Sequence, residues 1–96
     1  MTTISSQRFL DQDTVNKKIE NNDYVVMVAT ISDDYQIVID GHHSLEAAKQ
    51  AGVNPIFVEA DYNYMSEVEC IGFDNFLASH YVDSAWYNVE TGYDEF

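Results

Sequence analysis

The sequence predicts one α/β domain, in which a small mixed sheet is crossed by helices. Its 96 residues suit a single core, since domains of roughly 100 residues are common. Two runs of β-forming residues, Tyr24–Ile31 and Tyr35–Ile39, are separated by the polar turn Ser32-Asp33-Asp34. A helix-forming run and a return strand follow them. This order predicts an antiparallel hairpin extended by a strand–helix–strand unit.

The first predicted helix covers Asp13–Glu20, behind an Asp cap and with Val15 and Ile19 four residues apart on one face. It ends at the turn-forming Asn21-Asn22-Asp23. Because the next run is almost continuously apolar, we expect the strand Tyr24–Ile31 to be buried on both faces.

The second predicted helix covers Ser44–Ala51, and Gly52 stands where a left-handed helix cap is expected. Ile56–Ala60 then returns as a strand of the same sheet. A third helix is predicted from Ser66 to Tyr81, because Ser66 begins an S-x-x-E capping box, although Gly72 marks a break in its middle.

The remaining chain, from Ala85 to Phe96, is rich in aromatic residues. We expect a short strand there, followed by an ordered or docking segment. Cys70 on the third helix is expected to be a small buried side chain, because no nearby base lowers its pKa towards a nucleophile.

The charge of the chain is strongly negative and unevenly distributed. Four Lys and Arg oppose 17 Asp and Glu, giving a net charge of −13, and the last cation is Lys49. Nucleic-acid affinity depends on cations that displace counterions from phosphates, so this balance argues against direct DNA or RNA binding. An anionic membrane surface is disfavoured for the same reason.

The compartment expected from the sequence is the cytoplasm. The first residues lack a basic segment followed by an apolar run, so no secretory signal is predicted. A single cysteine cannot form an internal disulfide. No metal site is predicted either, because His42, His43, His80 and Cys70 show no recognised zinc spacing.

The segment most suited to chemistry is the turn after the second strand. It consists of Asp40, Gly41, His42, His43 and Ser44. A strand that runs directly into a helix places unbonded backbone N–H groups at the sheet edge, where anions bind. The two histidines offer hydrogen bonds to phosphate, or they cap the helix; Asp40 is either a base or magnesium ligand or a turn-stabilising residue.

Residues 37–58, from the strand Ile-Val-Ile through Asp-Gly-His-His-Ser to the return strand, resemble the central motif of ParB/sulfiredoxin-like domains. In that superfamily a strand, Asp-Gly-x-[His/Arg]-Arg, an Ala-rich helix, Gly and a return strand follow one another. The resemblance implies a nucleotide with Mg²⁺ at the turn, with Gly41 as turn glycine and His43 as phosphate contact. Ser44 falls where the family usually has Arg, and a hydroxyl cannot replace that charge.

The second half of the chain presents carboxylates interleaved with aromatic residues, including Tyr62, Tyr64, Phe73 and Phe76. Such a surface is either a solvated acidic face or an imitation of nucleic acid that binds a basic groove. The residues expected to bind that partner are Glu67, Glu69, Asp74, Asp83, Trp86 and Glu90.

The sequence therefore favours a non-enzymatic acidic protein without a cofactor: an inhibitor or regulator of a basic, nucleic-acid-handling partner, possessed by phages or mobile elements. A nucleotide-dependent enzyme using the turn at residues 40–44 is the alternative, and an antitoxin-like regulator without mimicry is a third reading.

Overall fold

The computed structural model describes residues 1–61 and 64–96. Within these residues there are nine elements: β1 (Thr2–Ser5), α1 (Gln12–Glu20), β2 (Val25–Thr30), β3 (Tyr35–Asp40), α2 (His42–Ala51), β4 (Ile56–Glu59), α3 (Met65–Ile71), α4 (Phe73–Ser79) and β5 (Tyr87–Asn88). The strands form one mixed sheet in the order β4-β2-β3-β1-β5. The α/β class and mixed sheet predicted from the sequence are confirmed.

The predicted hairpin is present, and β2 and β3 pair antiparallel, with a register shift between Met27 and Val28. The return strand β4 lies parallel to β2 at one edge of the sheet. Strand β1 was not predicted; it lies parallel to β3 and antiparallel to β5. Thr-Thr-Ile-Ser is too short and too polar to be recognised as a strand by its own pattern.

Two apolar clusters cover opposite faces of the sheet, because neighbouring residues of one strand point to opposite sides. Val28 and Val38 pack with Leu45 of α2, while their neighbours Ala29 and Ile37 pack with the α4 side chains. The α4 side chains in that second cluster are Phe76 and Leu77. Helices therefore lie on both faces, and α1, whose Val15 is buried, packs against α2.

Three expectations about these elements are wrong, and a fourth, on the third helix, is only partly right. Strand β2 is not buried on both faces, since Val25 is 45% and Met27 is 38% exposed. The predicted third helix is two helices, α3 and α4, which are separated at Gly72, the predicted break, and end at Ser79 rather than Tyr81. Ser66 does not cap α3, whose first residue is Met65 and which lacks a side-chain cap. Cys70 is exposed, because α3 directs Val68 and Ile71 to the core instead.

Candidate functional site

The candidate site is the turn between β3 and α2. Strand β3 ends at Asp40, Gly41 is the N-cap residue, and α2 begins at His42, two residues earlier than expected. The amide of Leu45 donates to the Gly41 carbonyl oxygen over 2.9 Å. The strand–Gly–helix geometry predicted for residues 40–44 is therefore present.

Gly41 is required by the packing of this turn on strand β2. Its φ of +92° lies in the left-handed region, and a Cβ there would stand 2.7 Å from the Val25 carbonyl oxygen and 3.0 Å from the Val26 Cα. Real Cβ atoms do not approach backbone so closely. Glycine therefore allows the start of α2 to touch β2 directly.

Asp40 stabilises the turn rather than facing a ligand. Its Oδ1 accepts the Gly41 amide over 2.7 Å, as strand-ending Asp residues often do. This bond occupies the Gly41 amide, a donor that an incoming anion would need. It also places the negative charge of the Asp40 carboxylate beside that amide.

His42 joins α2 to the end of β1. Its Nε2 lies 2.7 Å from the Ser5 hydroxyl, and the ring is half-buried. Burial lowers the pKa of His42, and the nearby Asp40 carboxylate only partly offsets that effect. A neutral imidazole adds no positive charge for phosphate.

His43 is also engaged within the chain, because its Nε2 accepts the backbone amide of Asp11 over 3.2 Å. Asp11 is itself the N-cap of α1 and accepts the amide of Asp13. An imidazole nitrogen that accepts a hydrogen bond carries no proton to donate to phosphate. His43 therefore ties α2 to the start of α1 in this structure.

Ser44, at the position of the family's usual Arg, is buried to 1% exposure. Its hydroxyl donates to Asp23 Oδ1 over 3.4 Å, and Asp23 Oδ2 also binds Lys18 Nζ at 3.0 Å. The Lys18 bond is the main cause of a lowered pKa at Asp23. The residue that the Ser44 hydroxyl contacts is thus an ionised carboxylate.

A depression of about 260 Å³ lies beside the turn. Its polar lining comprises Lys18, Asp23, Asp40, Gly41 and Ser44, and its apolar lining comprises Val25, Met27 and Val58. Two carboxylates oppose one ammonium group, so the depression has no net positive charge to attract a triphosphate. The structure brings the five predicted turn residues together, but their polar side chains are already bonded within the chain.

The partner-binding residues expected in the second half fall into two groups. Glu69, Asp74 and Glu90 are exposed, and among the described residues their carboxylates have no hydrogen bond or ion pair. Glu67, by contrast, is half-buried and lies 3.1 Å from His80 Nε2. Asp83 is exposed, but its two oxygens accept the amides of Arg8 and Phe9.

The sequence predicts that Trp86 contacts a partner, but its ring lies in the hydrophobic core. It is 8% exposed, and its indole N–H donates to the Leu77 carbonyl oxygen over 2.9 Å. A large aromatic in a small domain is needed for the core, and its polar edge must then find an internal acceptor. Tyr62, another aromatic of this predicted surface, lies outside the described residues.

Sequence reasoning missed Ser5, Asp11 and Asp23, which hold the turn in place. They lie far from the turn along the chain, and no local pattern connects them to it. Residues 1–61 and 64–96 contain no group of three or more His, Cys, Asp or Glu suited to a metal ion. None of the helices in the described part of the chain is long and apolar enough to span a membrane.

Comparisons with known proteins do not assign a relative. No family model matches this chain, and neither the curated proteins nor the solved structures gave a match.

The lowered pKa of His42 predicts a pH dependence of stability. Between the folded-state pKa and the unfolded value of about 6.5, the unfolded chain binds more protons. The stability that the folded chain gains from a neutral His42 ring is complete above pH 6.5, and it is lost as the pH falls towards the folded-state pKa. Urea unfolding across this range should show that His42→Gln loses less stability on acidification than the parent chain.

The control for this test is His43→Gln, which leaves His42 in place and should keep most of the parental difference between the two ends of the pH range, because burial rather than His43 is the main cause of the lowered pKa of His42. An unchanged pH profile in His42→Gln would contradict the assignment of this effect to the His42 ring.

Proposed function

We propose that this chain is a non-enzymatic acidic binding protein that regulates or inhibits a basic, nucleic-acid-handling partner, in the manner of DNA mimics from phages and mobile elements. The observation that carries the proposal is a group of exposed carboxylates without internal partners, at Glu69, Asp74 and Glu90, in a half of the chain that has no Lys or Arg. Such a surface steers association with cationic grooves.

The basic residues of the chain neutralise little of the negative charge on this acidic surface. Arg8 binds Asp94 at 3.2 Å, and Lys18 binds Asp23 at 3.0 Å. Both pairs lie at the surface, and such pairs stabilise folds weakly. Two of the four cations are therefore matched locally, and Glu69, Asp74 and Glu90 are not among their partners.

The fold proposal is a degenerate member of the ParB/sulfiredoxin-like superfamily. Supporting it are the order hairpin, glycine turn, helix and return strand, and the left-handed Gly41 at the turn. The buried Ser44 beside Asp23 speaks against a working triphosphate site. We therefore rank nucleotide-dependent enzymology below protein binding.

A charge-reversal experiment tests the proposed function. The chain is immobilised, its partner is captured from host lysate and identified, and binding is then measured with purified partner. Replacing Glu69, Asp74 and Glu90 together by Lys should weaken binding at least tenfold, or about 1.4 kcal/mol. Binding should also fall steeply with salt, and DNA should compete, because the contacts are screened charges.

The matched control replaces Glu20, Asp33 and Asp34 by Lys, which makes the same change in net charge at three exposed positions of the first half. Glu67 and Asp11 are avoided because they bond to His80 and cap α1. Equal effects of both triple variants, or simultaneous binding of DNA and this chain by the partner, would contradict mimicry. Saturable ATP, CTP or GTP binding with Mg²⁺ that His43→Ala abolishes would favour the nucleotide alternative.

A further inference from the structure

One part of the sheet is left uncovered on the face that carries α3 and α4. The parallel register places Val25 opposite Ile56 and Met27 opposite Val58, so all four side chains point to the same side. They are 45%, 56%, 38% and 37% exposed, respectively. These four residues form what we call the apolar strip. Exposed apolar patches of this kind often mark interaction sites.

The strip borders an open edge of the sheet. The amides of Ile56 and Ala60 donate inward, to the carbonyl oxygens of Tyr24 and Val28, over 2.8 and 2.7 Å. Alternation along a strand then directs the backbone groups of Phe57 and Glu59 outward. No described strand pairs with that side of β4. An edge with outward N–H and C=O groups is a template for another strand.

The charged residues around the apolar strip determine which kind of added strand can pair with β4. Asp23, Asp40 and Lys18 line the same depression as Val25, Met27 and Val58, so the charge beside the strip is negative overall. The exposed Asp61 follows the end of β4, while the Glu59 carboxylate accepts the Thr30 amide over 3.1 Å. A second copy of the chain would bring the same carboxylates and another −13 charges to this edge. Four partly exposed side chains also fall short of the roughly 800 Å² per partner of a stable interface.

We propose that β4 accepts an added strand from a basic partner protein. The strand pairs with the backbone of Phe57 and Glu59, lays apolar side chains beside the apolar strip, and directs Lys or Arg to the carboxylates around it. Backbone pairing supplies affinity and the side chains supply specificity in this mode of recognition. The inference rests on the proposed function and names the surface and partner segment through which it acts.

Phe57 allows a sharp test because its amide points away from β2. Phe57→Pro removes this outward donor, and Pro is tolerated on edge strands when no ladder bond is lost. Phe57→Ala is the matched control, since it loses the same ring but keeps the amide. The probe is a synthetic peptide of about six residues in which Lys and Val alternate; a Lys/Gly peptide of equal charge controls for charge alone.

NMR titration of the whole chain should show the Lys/Val peptide perturbing the amides of β4 and β2 in the parent and in Phe57→Ala. Its affinity for Phe57→Pro should be at least tenfold weaker than for Phe57→Ala, with the fold of each variant checked by its own spectrum. Equal affinities, or equally tight binding of the Lys/Gly peptide, would overturn strand addition. Shifts of β4 signals with protein concentration alone would identify a second copy as the occupant and also overturn it.

Different results would contradict the proposed acidic binding function and the proposed strand addition. If the triple reversal of Glu69, Asp74 and Glu90 weakens partner binding while Phe57→Pro and Phe57→Ala bind the peptide alike, the acidic function stands and strand addition is wrong. If the reversal has no effect on the partner, the proposed function is wrong, whatever the peptide does.

Discussion

Gly41→Ala should lower the free energy of unfolding by about 3 kcal/mol, a large part of the stability of a small domain. An alanine at φ +92° is strained, and its Cβ would meet the Val25 carbonyl oxygen at 2.7 Å. Because the obstructing atoms belong to the backbone, relief requires the turn to move away from β2. Urea denaturation followed by circular dichroism measures the change.

Gly52→Ala is the matched control for this prediction. Gly52 has a similar positive φ, +71°, but nothing lies within 4 Å of the position of its Cβ. Gly52→Ala should therefore lower the free energy of unfolding only by the cost of the left-handed conformation for alanine, about 1 kcal/mol. An equal loss of unfolding free energy in Gly41→Ala and Gly52→Ala would contradict a direct contact between the turn and β2.

Trp86→Ala should cost about 3 to 5 kcal/mol of stability, because it removes a large buried ring and leaves a cavity. Trp86 lies in the cluster with Ile4, Phe76 and Leu77. Tyr93→Ala, at an aromatic that is 78% exposed, should change stability by less than about 0.5 kcal/mol. Circular dichroism is the appropriate signal, since Trp86 is the single tryptophan of the chain.

A second substitution separates the structural role of Trp86 from partner binding. Trp86→Phe keeps an aromatic ring in the core but loses the indole N–H that the Leu77 carbonyl accepts. The folded variant should bind the partner as the parent does. Loss of partner binding at unchanged stability would restore the sequence-based view that Trp86 is a contact residue.

Local patterns in the sequence were sufficient for the first part of the fold. The hairpin β2–β3, helix α2 and the left-handed cap at Gly52 depend on propensities and turn residues within a few positions. The positions of β1 and β5 depend instead on pairing between opposite ends of the chain. The exposure of Val25 and Met27 likewise depends on where α3 and α4 end on the sheet, which periodicity cannot show.

The candidate site was predictable as a backbone feature but not as a set of side-chain contacts. Asp-Gly after a strand indicates a tight turn into a helix, and that turn is present at Gly41. Whether His42, His43 and Ser44 face a ligand depends on Ser5, Asp11 and Asp23. These partners come from three separate segments, so their identity follows from tertiary packing alone.

The pairing of β5 with β1 has a consequence for the order of folding during synthesis. Ile4 lies opposite Asn88, and the amide of Val89 donates to the Thr3 carbonyl oxygen. Closing a loop of this length carries an entropic cost that short-range contacts do not. A ribosome that has released only β1 to α2 therefore exposes a sheet whose β1 edge lacks its neighbour. That edge stays open to mispairing until the tail emerges, and slowing translation of the tail should increase aggregation of the nascent chain.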